Sequence, residues 1–241
     1  MIDYFVEIFN NMIDKLSFLG TYYPLYISGT LTTVFISLFT VLIGTVIGIF
    51  VALMKLSKVK AVSSIASIYI EIVRGTPILV QVFIWYFGIT TFINIPSIYI
   101  GEDLELSRLI PGALALALNS GAYVAEIIRA GILAVDKGQT EAAESLGMKK
   151  NMILRHIVMP QAIKNILPAI GNEFVVLIKE SSILYAIGIQ ELMAKTSTIQ
   201  SSTFQPLAPL FVVSVIYFIL TFSLSRIIGV FERRLNKDDR N

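Results

Sequence analysis

A long apolar run near the start of the chain constrains its fold more than any other feature. Residues 27–54 form a run of 28 mostly apolar residues, and no charged residue lies between Lys15 and Lys55. A helix needs about 20 such residues to cross the hydrocarbon core of a bilayer. The run therefore predicts a membrane-spanning helix. The whole chain agrees, because 55% of its residues are apolar, 15% are charged and the mean hydropathy is +0.76.

Four more segments are apolar enough to cross a membrane. With the first run, the predicted spans are residues 27–54, 78–94, 109–128, 163–184 and 207–228. Residues 163–184 are the weakest of these, because Glu173, Lys179 and Glu180 interrupt them. We find no internal repeat of two halves. The sequence therefore predicts an all-α membrane protein with five transmembrane helices, and residues 1–241 form a single domain.

Basic residues are distributed unevenly among the segments between these spans. Fourteen Lys and Arg residues follow the first, third and fifth spans, whereas the alternate segments hold Lys15, Arg108, Lys179 and Lys195 together with six acidic residues. Cytoplasmic loops carry an excess of Lys and Arg. The N-terminus is therefore predicted outside and the C-terminus in the cytoplasm. The distribution of charges does not assign Arg74 to either side of the membrane.

The composition excludes several classes of site. The chain has no cysteine and a single histidine, His156, which excludes disulfides, thiolate chemistry and metal sites that need two imidazoles. A net charge of +2 is too small to indicate nucleic acid as a partner. A membrane-embedded enzyme would need a nucleophile with a base or a metal cage, so we expect no enzyme activity and no bound cofactor. His156 is expected at the membrane surface, without a chemical role.

An amphipathic segment, residues 62–74, precedes the second span. Its apolar residues recur at helical spacing opposite serines and charged residues, which predicts a helix. Gly75-Thr76-Pro77 should break that helix, because proline removes a backbone donor and glycine does not hold the helix straight. Two interpretations stay open. The segment is either a lead-in helix at the cytoplasmic interface or part of a broken helix that exposes backbone groups to a passing solute.

The longest charged interruption lies between the third and fourth spans, and it has its own helical signals. Thr140 is predicted to cap a short helix over residues 141–146, and Gly147 is predicted to end it in a left-handed conformation. A second helix, residues 148–158, should run to Pro160 along the inner membrane surface.

The order of residues in this loop is specific. The chain has Glu141-Ala142-Ala143, three residues, Gly147, nine residues, Ile157, one residue, and Met159-Pro160. This order resembles the EAA loop of ABC importer permeases at every spacing, with Met159 where the family prefers leucine. We call residues 129–162 the EAA loop. Three further stretches look like signatures of the polar amino-acid subgroup of these permeases: residues 74–81, 119–126 and 171–174.

The resemblance implies a permease subunit of an ATP-driven importer for polar amino acids, located in the plasma (inner) membrane of a bacterium. It implies pairing with a second permease, identical or closely related, and service by two cytoplasmic ATPases and an extracytoplasmic solute-binding protein. The ATPases would use ATP and Mg²⁺, since this chain lacks the GxxxxGK[ST] phosphate-binding pattern. The lipid membrane is also an expected partner, whereas no nucleic acid and no cofactor bound by this chain is expected. A secondary transporter driven by an ion gradient is the alternative.

The resemblance also places the ATPase contact in the EAA loop. The residues expected to couple to the ATPase are Glu141, Ala142, Ala143, Ser145, Leu146, Gly147, Ile157 and Pro160. We expect the helix over residues 141–146 to dock into a groove of an ATPase subunit, with small alanines allowing close approach and Gly147 setting the exit angle. The helix would then act as a rigid lever between two states.

Polar residues inside the spans are candidates for the solute pathway. An ionisable side chain in a membrane helix is unfavourable by at least about 2.5 kcal/mol and normally faces a partner or water. The candidates are Glu173, Asn172, Asn119, Tyr123 and Gln81. We expect Glu173 and Asn172 to line a cavity where the carboxylate receives the ammonium or guanidinium group of an amino acid. For the three amides, the alternative is an interhelical hydrogen bond.

Two pairs of residues are expected to have structural roles. Glu126 and Arg129 lie at helical spacing and should form an ion pair. Gly44 and Gly48 form a pair of small residues four positions apart, which either occurs by chance or marks a close contact between two membrane helices.

Overall fold

The computed structural model describes residues 16–101 and 104–235 and is mostly helical. The long helices are α1 (Leu19–Lys55), α2 (Lys60–Gly75), α3 (Ile78–Phe92) and α4 (Leu106–Leu133). A hairpin of strands β1 (Tyr99–Ile100) and β2 (Leu104–Glu105) connects α3 to α4. Then follow α5 (Lys137–Ser145), α6 (Lys150–Ile153), a π-helical turn (Leu154–Val158) and α7 (Met159–Glu180), then a 3₁₀ helix (Ser181–Ile187), α8 (Leu192–Thr203) and α9 (Ala208–Leu235).

Part of the charge argument for the topology lies outside the described residues. The residues concerned are Asp3, Glu7, Asp14, Lys15, Glu102, Asp103, Lys237 and Arg240. The sides of the two termini therefore stay a prediction.

Within residues 16–101 and 104–235, three helices are long and apolar enough to cross a membrane: α1, α4 and α9. The pair α2 and α3 passes the same criterion together but is bent by 108°, which raises the number to four. The predicted all-α membrane fold is thus confirmed in its coarse form. Helix α3 alone has 15 residues, or about 22 Å, which is shorter than the hydrocarbon core of about 30 Å.

Helix α1 is a single helix of 37 residues whose two sides differ in side-chain size. Its buried side consists largely of small residues, among them Gly29, Thr33, Ser37, Gly44, Gly48 and Ala52. Large apolar side chains such as Leu31, Leu42 and Phe50 are exposed on the other side. Small residues allow a neighbouring helix to approach closely, whereas large apolar residues suit lipid.

Gly44 and Gly48 form the contact between α1 and α4. A Cβ added at Gly44 would lie 2.9 Å from the Cβ of Ser120, and one at Gly48 would lie 2.6 Å from the Cβ of Val124. Of the two interpretations of this pair, the close helix contact is the one that the structure shows. Residue numbers increase together along both helices, so α1 and α4 run in the same direction.

The helix break at Gly75-Thr76-Pro77 occurs where it was predicted. Helix α2 ends at Gly75, and Thr76 and Pro77 adopt extended backbone conformations before α3 begins. Proline restricts the residue before it to extended conformations, which explains why the helix stops here. Helix α2 packs through Ile70 on Ala52 of α1 and Ala122 of α4.

The prediction that the second helix of the EAA loop ends at Pro160 was wrong. Ile153, Leu154, Val158 and Met159 all have right-handed helical backbones, so α6, the π-helical turn and α7 form one continuous path to Glu180. Pro160 lies in the first turn of α7. The wider turn before it changes the backbone hydrogen bonds, with Met159 N donating to Leu154 O, and so accommodates the missing donor.

Helix α8 was not predicted. Its N-terminus is capped by the fully buried side chain of Glu191, which accepts hydrogen bonds of 2.8 Å from the amides of Met193 and Ala194. Leu192 N donates to Thr33 Oγ1 of α1 at 3.1 Å, and Tyr217 OH of α9 donates to Glu191 at 3.2 Å. Helix α8 is therefore held between α1 and α9 by polar groups.

Candidate functional site

The EAA loop has two helical arms, α5 before Gly147 and α6 with the π-helical turn after it. The first arm begins earlier than predicted. Helix α5 starts at Lys137, and its cap is Asp136, whose Oδ1 accepts a hydrogen bond of 2.6 Å from Gly138 N. The prediction that Thr140 caps this helix was wrong, because Thr140 lies inside its first turns. Aspartate caps helices at least as well as threonine, and no residue between them interrupts the helix.

Gly147 ends the first arm as predicted. Its φ of +77° is left-handed. Met148 N donates to Ala143 O at 3.1 Å and Gly147 N donates to Glu144 O at 2.9 Å, which is the hydrogen-bond pattern of a Schellman motif. A side chain at position 147 would be strained in this conformation.

The tip of the EAA loop is open to solvent. Leu146 is 84% exposed, and five other expected coupling residues are exposed too, namely Glu141, Ala142, Ser145 and Gly147 beside it and Pro160 in the first turn of α7. Ala143 is buried, and Ile157 is partly buried. The small side chain of Ala143 therefore serves packing within the loop. The two arms border a cavity of about 280 Å³ lined by Thr140, Glu144, Lys150, Ile153, Leu154 and Val158.

Gln81 ties the helix break to the helix bundle. Its Nε2 donates to Val73 O at 2.7 Å and to Thr76 Oγ1 at 2.8 Å, and its Oε1 accepts a hydrogen bond of 3.0 Å from Asn119 Nδ2. The last carbonyls of a helix have no intrahelical donor, so Gln81 satisfies the end of α2. The interhelical hydrogen bond expected as the alternative role of the amides is thus present for Gln81 and Asn119.

The side chain of Arg74 packs on the face of the Tyr123 ring. The guanidinium carbon of Arg74 lies 5.1 Å from the ring centroid, which is a cation–π contact. Tyr123 is 37% exposed. This contact was not anticipated from the sequence, which left the position of Arg74 open.

Glu173 and Asn172 face different surroundings. Glu173 is buried, and its carboxyl lies close to the hydroxyl of Ser120 without reaching hydrogen-bond geometry. Asn172 is exposed. Within the described part of the chain, the buried hydroxyls of Thr40 and Ser120 have no hydrogen-bond partner. Thus Glu173 sits beside buried polar atoms where α4 meets α7. That Glu173 and Asn172 line one cavity stays a prediction.

The family follows from a comparison with known proteins. The family model described as "Binding-protein-dependent transport system inner membrane component" matches residues 44–237. The chain belongs to this family. It is a multi-pass permease subunit of an ABC importer, a membrane component of transport that is not itself catalytic.

Curated relatives cover most of the permease. It is 42% identical over 87% of its length to a putative glutamine transport system permease protein of Rickettsia bellii, of which 92% is covered. It is 37% identical to the arginine transport system permease protein of Bacillus subtilis, covering 90% of this chain and 94% of that one. The nopaline transport system permease protein of Agrobacterium fabrum is 44% identical, with 86% and 85% covered.

Solved structures agree with the fold. An amino acid ABC transporter crystallised with histidines is 47% identical to the permease, with a TM-score of 0.82 over 90% of this chain and 96% of that one. The methionine ABC transporter MetNI in an inward-facing conformation is 16% identical, with a TM-score of 0.68 over 88% and 96% of the two chains. The second similarity supports the fold alone.

The remaining predictions concern an ion pair, the single histidine and metal sites. Glu126 Oε2 accepts hydrogen bonds from Arg129 Nε at 3.0 Å and Nη2 at 2.8 Å, which confirms the expected ion pair. His156 is exposed, and its Nδ1 lies 3.0 Å from Met152 O. The described residues contain no group of three or more His, Asp or Glu placed to hold a metal ion.

Proposed function

We propose that the permease imports polar amino acids across the bacterial plasma membrane, driven by ATP hydrolysis in partner ATPases that bind ATP and Mg²⁺. The exposed tip of the EAA loop carries this proposal. Leu146 is apolar and 84% exposed beside the left-handed Gly147, and such a side chain suits a groove on a cytoplasmic partner. The contact surface comprises Glu141, Ala142, Ser145, Leu146 and Gly147, and Ala143 supports it from inside.

The continuous helical path behind the tip supports transmission of movement. Residues 150–180 are helical without a break apart from the π-helical turn at Leu154–Val158. A displacement of the EAA loop therefore moves α7 and Glu173 with it. Packed helices of this kind switch between discrete arrangements, which suits alternation between outward and inward openings.

Five spans are the membrane topology that we propose, with the N-terminus outside and the C-terminus in the cytoplasm. The spans are α1, the bent pair α2–α3, α4, α7 and α9. Helix α7 has 22 residues, or about 33 Å, which is enough to span. Ser37 of α1 donates a hydrogen bond of 3.2 Å to Leu177 O, so α7 packs along α1. The buried Glu173 lowers the hydropathy of α7 while avoiding lipid.

Amino acids are the solute class that the relatives support. Their names refer to glutamine, arginine and nopaline, and the solved transporter contained histidines. We propose that Glu173, Asn172, Asn119, Tyr123 and Gln81 line or support the pathway, and that a second permease and a solute-binding protein complete the importer. An ion-gradient carrier is not favoured, because the chain belongs to a family of binding-protein-dependent systems.

Reconstitution tests this function. The permease is co-expressed with candidate ATPases and a solute-binding protein, purified and placed in liposomes. Uptake of labelled L-glutamine, L-arginine and L-histidine is then measured with ATP and without ATP. It is also measured with an imposed ion gradient, before and after an ionophore collapses that gradient. We expect uptake only with ATP. Uptake that follows the gradient and ignores ATP would reject the proposal.

A further inference from the structure

Arg74 lies beside α4, one of the helices that we propose to span the membrane. Its aromatic partner Tyr123 is next to Val124, which packs on Gly48 of α1. Gly48 lies seven residues before Lys55, the last residue of α1, so this level is about 10 Å along the helix from its end. Ionisable side chains at such depth normally face a partner or a water-filled path.

Among the residues that the structure describes, no carboxylate lies within ion-pair distance of Arg74, although its charge acts on Glu126 from farther away. Glu105 pairs with Arg108, and Glu126 pairs with Arg129. Glu71 precedes Arg74 by one turn of α2 but is not within ion-pair distance. The Tyr123 ring contacts the guanidinium through its face, and that arrangement leaves the N–H donors at the guanidinium edge available.

The backbone that carries Arg74 is fixed. Gln81 binds the carbonyls of Val73 and Thr76 on either side of it, and Asn119 holds Gln81 on α4. An arginine that is exposed, supported by an aromatic ring and held at a pinned helix end is a preorganised site for an anion.

We propose that Arg74 binds the carboxylate of the transported amino acid, which rests on the function proposed above. A planar guanidinium forms two parallel hydrogen bonds with a carboxylate. Glu173 lies close to Ser120, which precedes Tyr123 by three residues and so lies about one turn away on a similar side of α4. In this arrangement, a zwitterion would place its carboxylate at Arg74 and its cationic group toward Glu173.

A cycle of binding measurements tests this assignment. Wild type, Arg74→Gln and Arg74→Lys are purified as complete permease–ATPase complexes in lipid nanodiscs. Equilibrium binding of labelled L-arginine and of its decarboxylated form, agmatine, is measured for each, and L-glutamine and L-histidine are measured beside them. Arg226→Gln is the matched control, because Arg226 lies 4.9 Å from the Phe222 ring on exposed α9.

We expect Arg74→Gln to weaken binding of L-arginine at least tenfold and to leave agmatine binding unchanged, because agmatine has no carboxylate. The effect of removing the Arg74 side chain and the effect of removing the ligand carboxylate should therefore not be additive. Arg74→Lys should fall between wild type and Arg74→Gln, and Arg226→Gln should match wild type. The proposal is overturned if Arg74→Gln retains wild-type affinity for L-arginine, or if it weakens both ligands equally.

Two further outcomes separate this proposal from the general function. If Arg74→Gln complexes do not assemble, the two single variants Arg74→Lys and Tyr123→Leu are used for the test. Normal binding of L-arginine by both of them overturns the assignment. If wild type couples to its ATPases but binds none of the three amino acids, the proposed solute class fails, and the role of Arg74 fails with it.

Discussion

Asn119 of α4 donates a hydrogen bond of 3.0 Å to Gln81 of α3, and the same glutamine side chain donates to Val73 O at the end of α2. One side chain thus joins three helices at the 108° bend. A broken helix in a membrane requires partners for the backbone groups that it frees. Gln81 is such a partner, and it fixes the position of Arg74 as a consequence.

Replacing Gln81 should loosen this bend. Gln81→Leu removes the donor to Val73 O and leaves Asn119, which is 3% exposed, without its acceptor. Each unsatisfied buried group destabilises a protein by about 1–3 kcal/mol. We expect a lower midpoint of thermal unfolding in detergent. Thr90→Val is the control on the same helix, because exposed Thr90 bonds only to its own helix. Equal midpoints for the two variants would contradict the role of Gln81.

The contact between α1 and α4 should be sensitive to a single methyl group. A Cβ at Gly48 would lie 2.6 Å from the Cβ of Val124, which forces the helices apart. We expect Gly48→Ala to destabilise the permease by about 1–3 kcal/mol, measured by unfolding in mixed micelles. Gly88→Ala is the control, since nothing lies within 4 Å of its added Cβ. Combining Gly48→Ala with Val124→Gly, which removes the Cβ that the new methyl group meets, should restore part of the loss, and a fully additive loss would rule out this contact.

The local signals that sequence analysis interpreted well are those with short range. The break at Gly75-Thr76-Pro77 and the left-handed Gly147 depend on a few neighbouring residues, and both occur as predicted. Pro160 was misinterpreted because its effect depends on the π-helical turn before it. Thr140 was misinterpreted because Asp136 is an equally good cap one turn earlier.

The features that sequence analysis missed depend on distant partners. Helix α8 has few large apolar residues, and it is held by contacts of Glu191 and Leu192 with α9 and α1. Glutamate is not among the residues that favour the N-cap position, so Glu191 gave no cap signal in the sequence. The Arg74–Tyr123 contact joins residues 49 positions apart, so no local pattern predicts it.

The hairpin at the start of α4 should respond to acid. The hydroxyl of Ser107 donates to Glu105 and lowers the pKa of its carboxyl, with Ser97 and Arg108 acting in the same direction. A lowered pKa means that the folded state favours the ionised form, so the stabilisation is present above about pH 4.5 and is lost as pH falls through the folded-state pKa. Glu105→Gln should reduce this acid dependence of the unfolding midpoint. An unchanged acid dependence would contradict it.

The tip of the EAA loop should matter for partner binding more than for folding. Leu146 is 84% exposed, so Leu146→Glu removes no packing within the permease. We expect loss of ATPase co-purification, by about tenfold in affinity if an apolar anchor of about 1.4 kcal/mol is lost, with an unchanged unfolding midpoint. Met152→Glu, at an exposed position on the other arm, should retain the ATPase. If both variants retain it equally, Leu146 is no anchor.

The corner beside that tip should depend on backbone conformation. Gly147 has a φ of +77°, which is unfavourable by about 1–2 kcal/mol for a residue with a side chain. Gly147→Val should therefore disturb the exit angle and reduce ATP-driven uptake. Gly147→Asn is the matched control, because asparagine adopts left-handed conformations more readily. Equal uptake by both variants would show that the left-handed corner is dispensable.

Glu173 should influence transport without influencing assembly. Its carboxyl is buried beside the unpaired hydroxyl of Ser120, so Glu173→Gln keeps the volume and removes the charge that would receive a cationic group. We expect reduced ATP-driven uptake of L-arginine, with ATPase co-purification at the wild-type level. Glu232→Gln, an exposed acid near the end of α9, is the control and should transport normally. Since the charge of Glu173 also lies on the helix that continues from the EAA loop, basal ATPase activity is measured beside uptake. A change in ATPase activity with unchanged uptake kinetics would assign Glu173 to coupling instead of solute recognition.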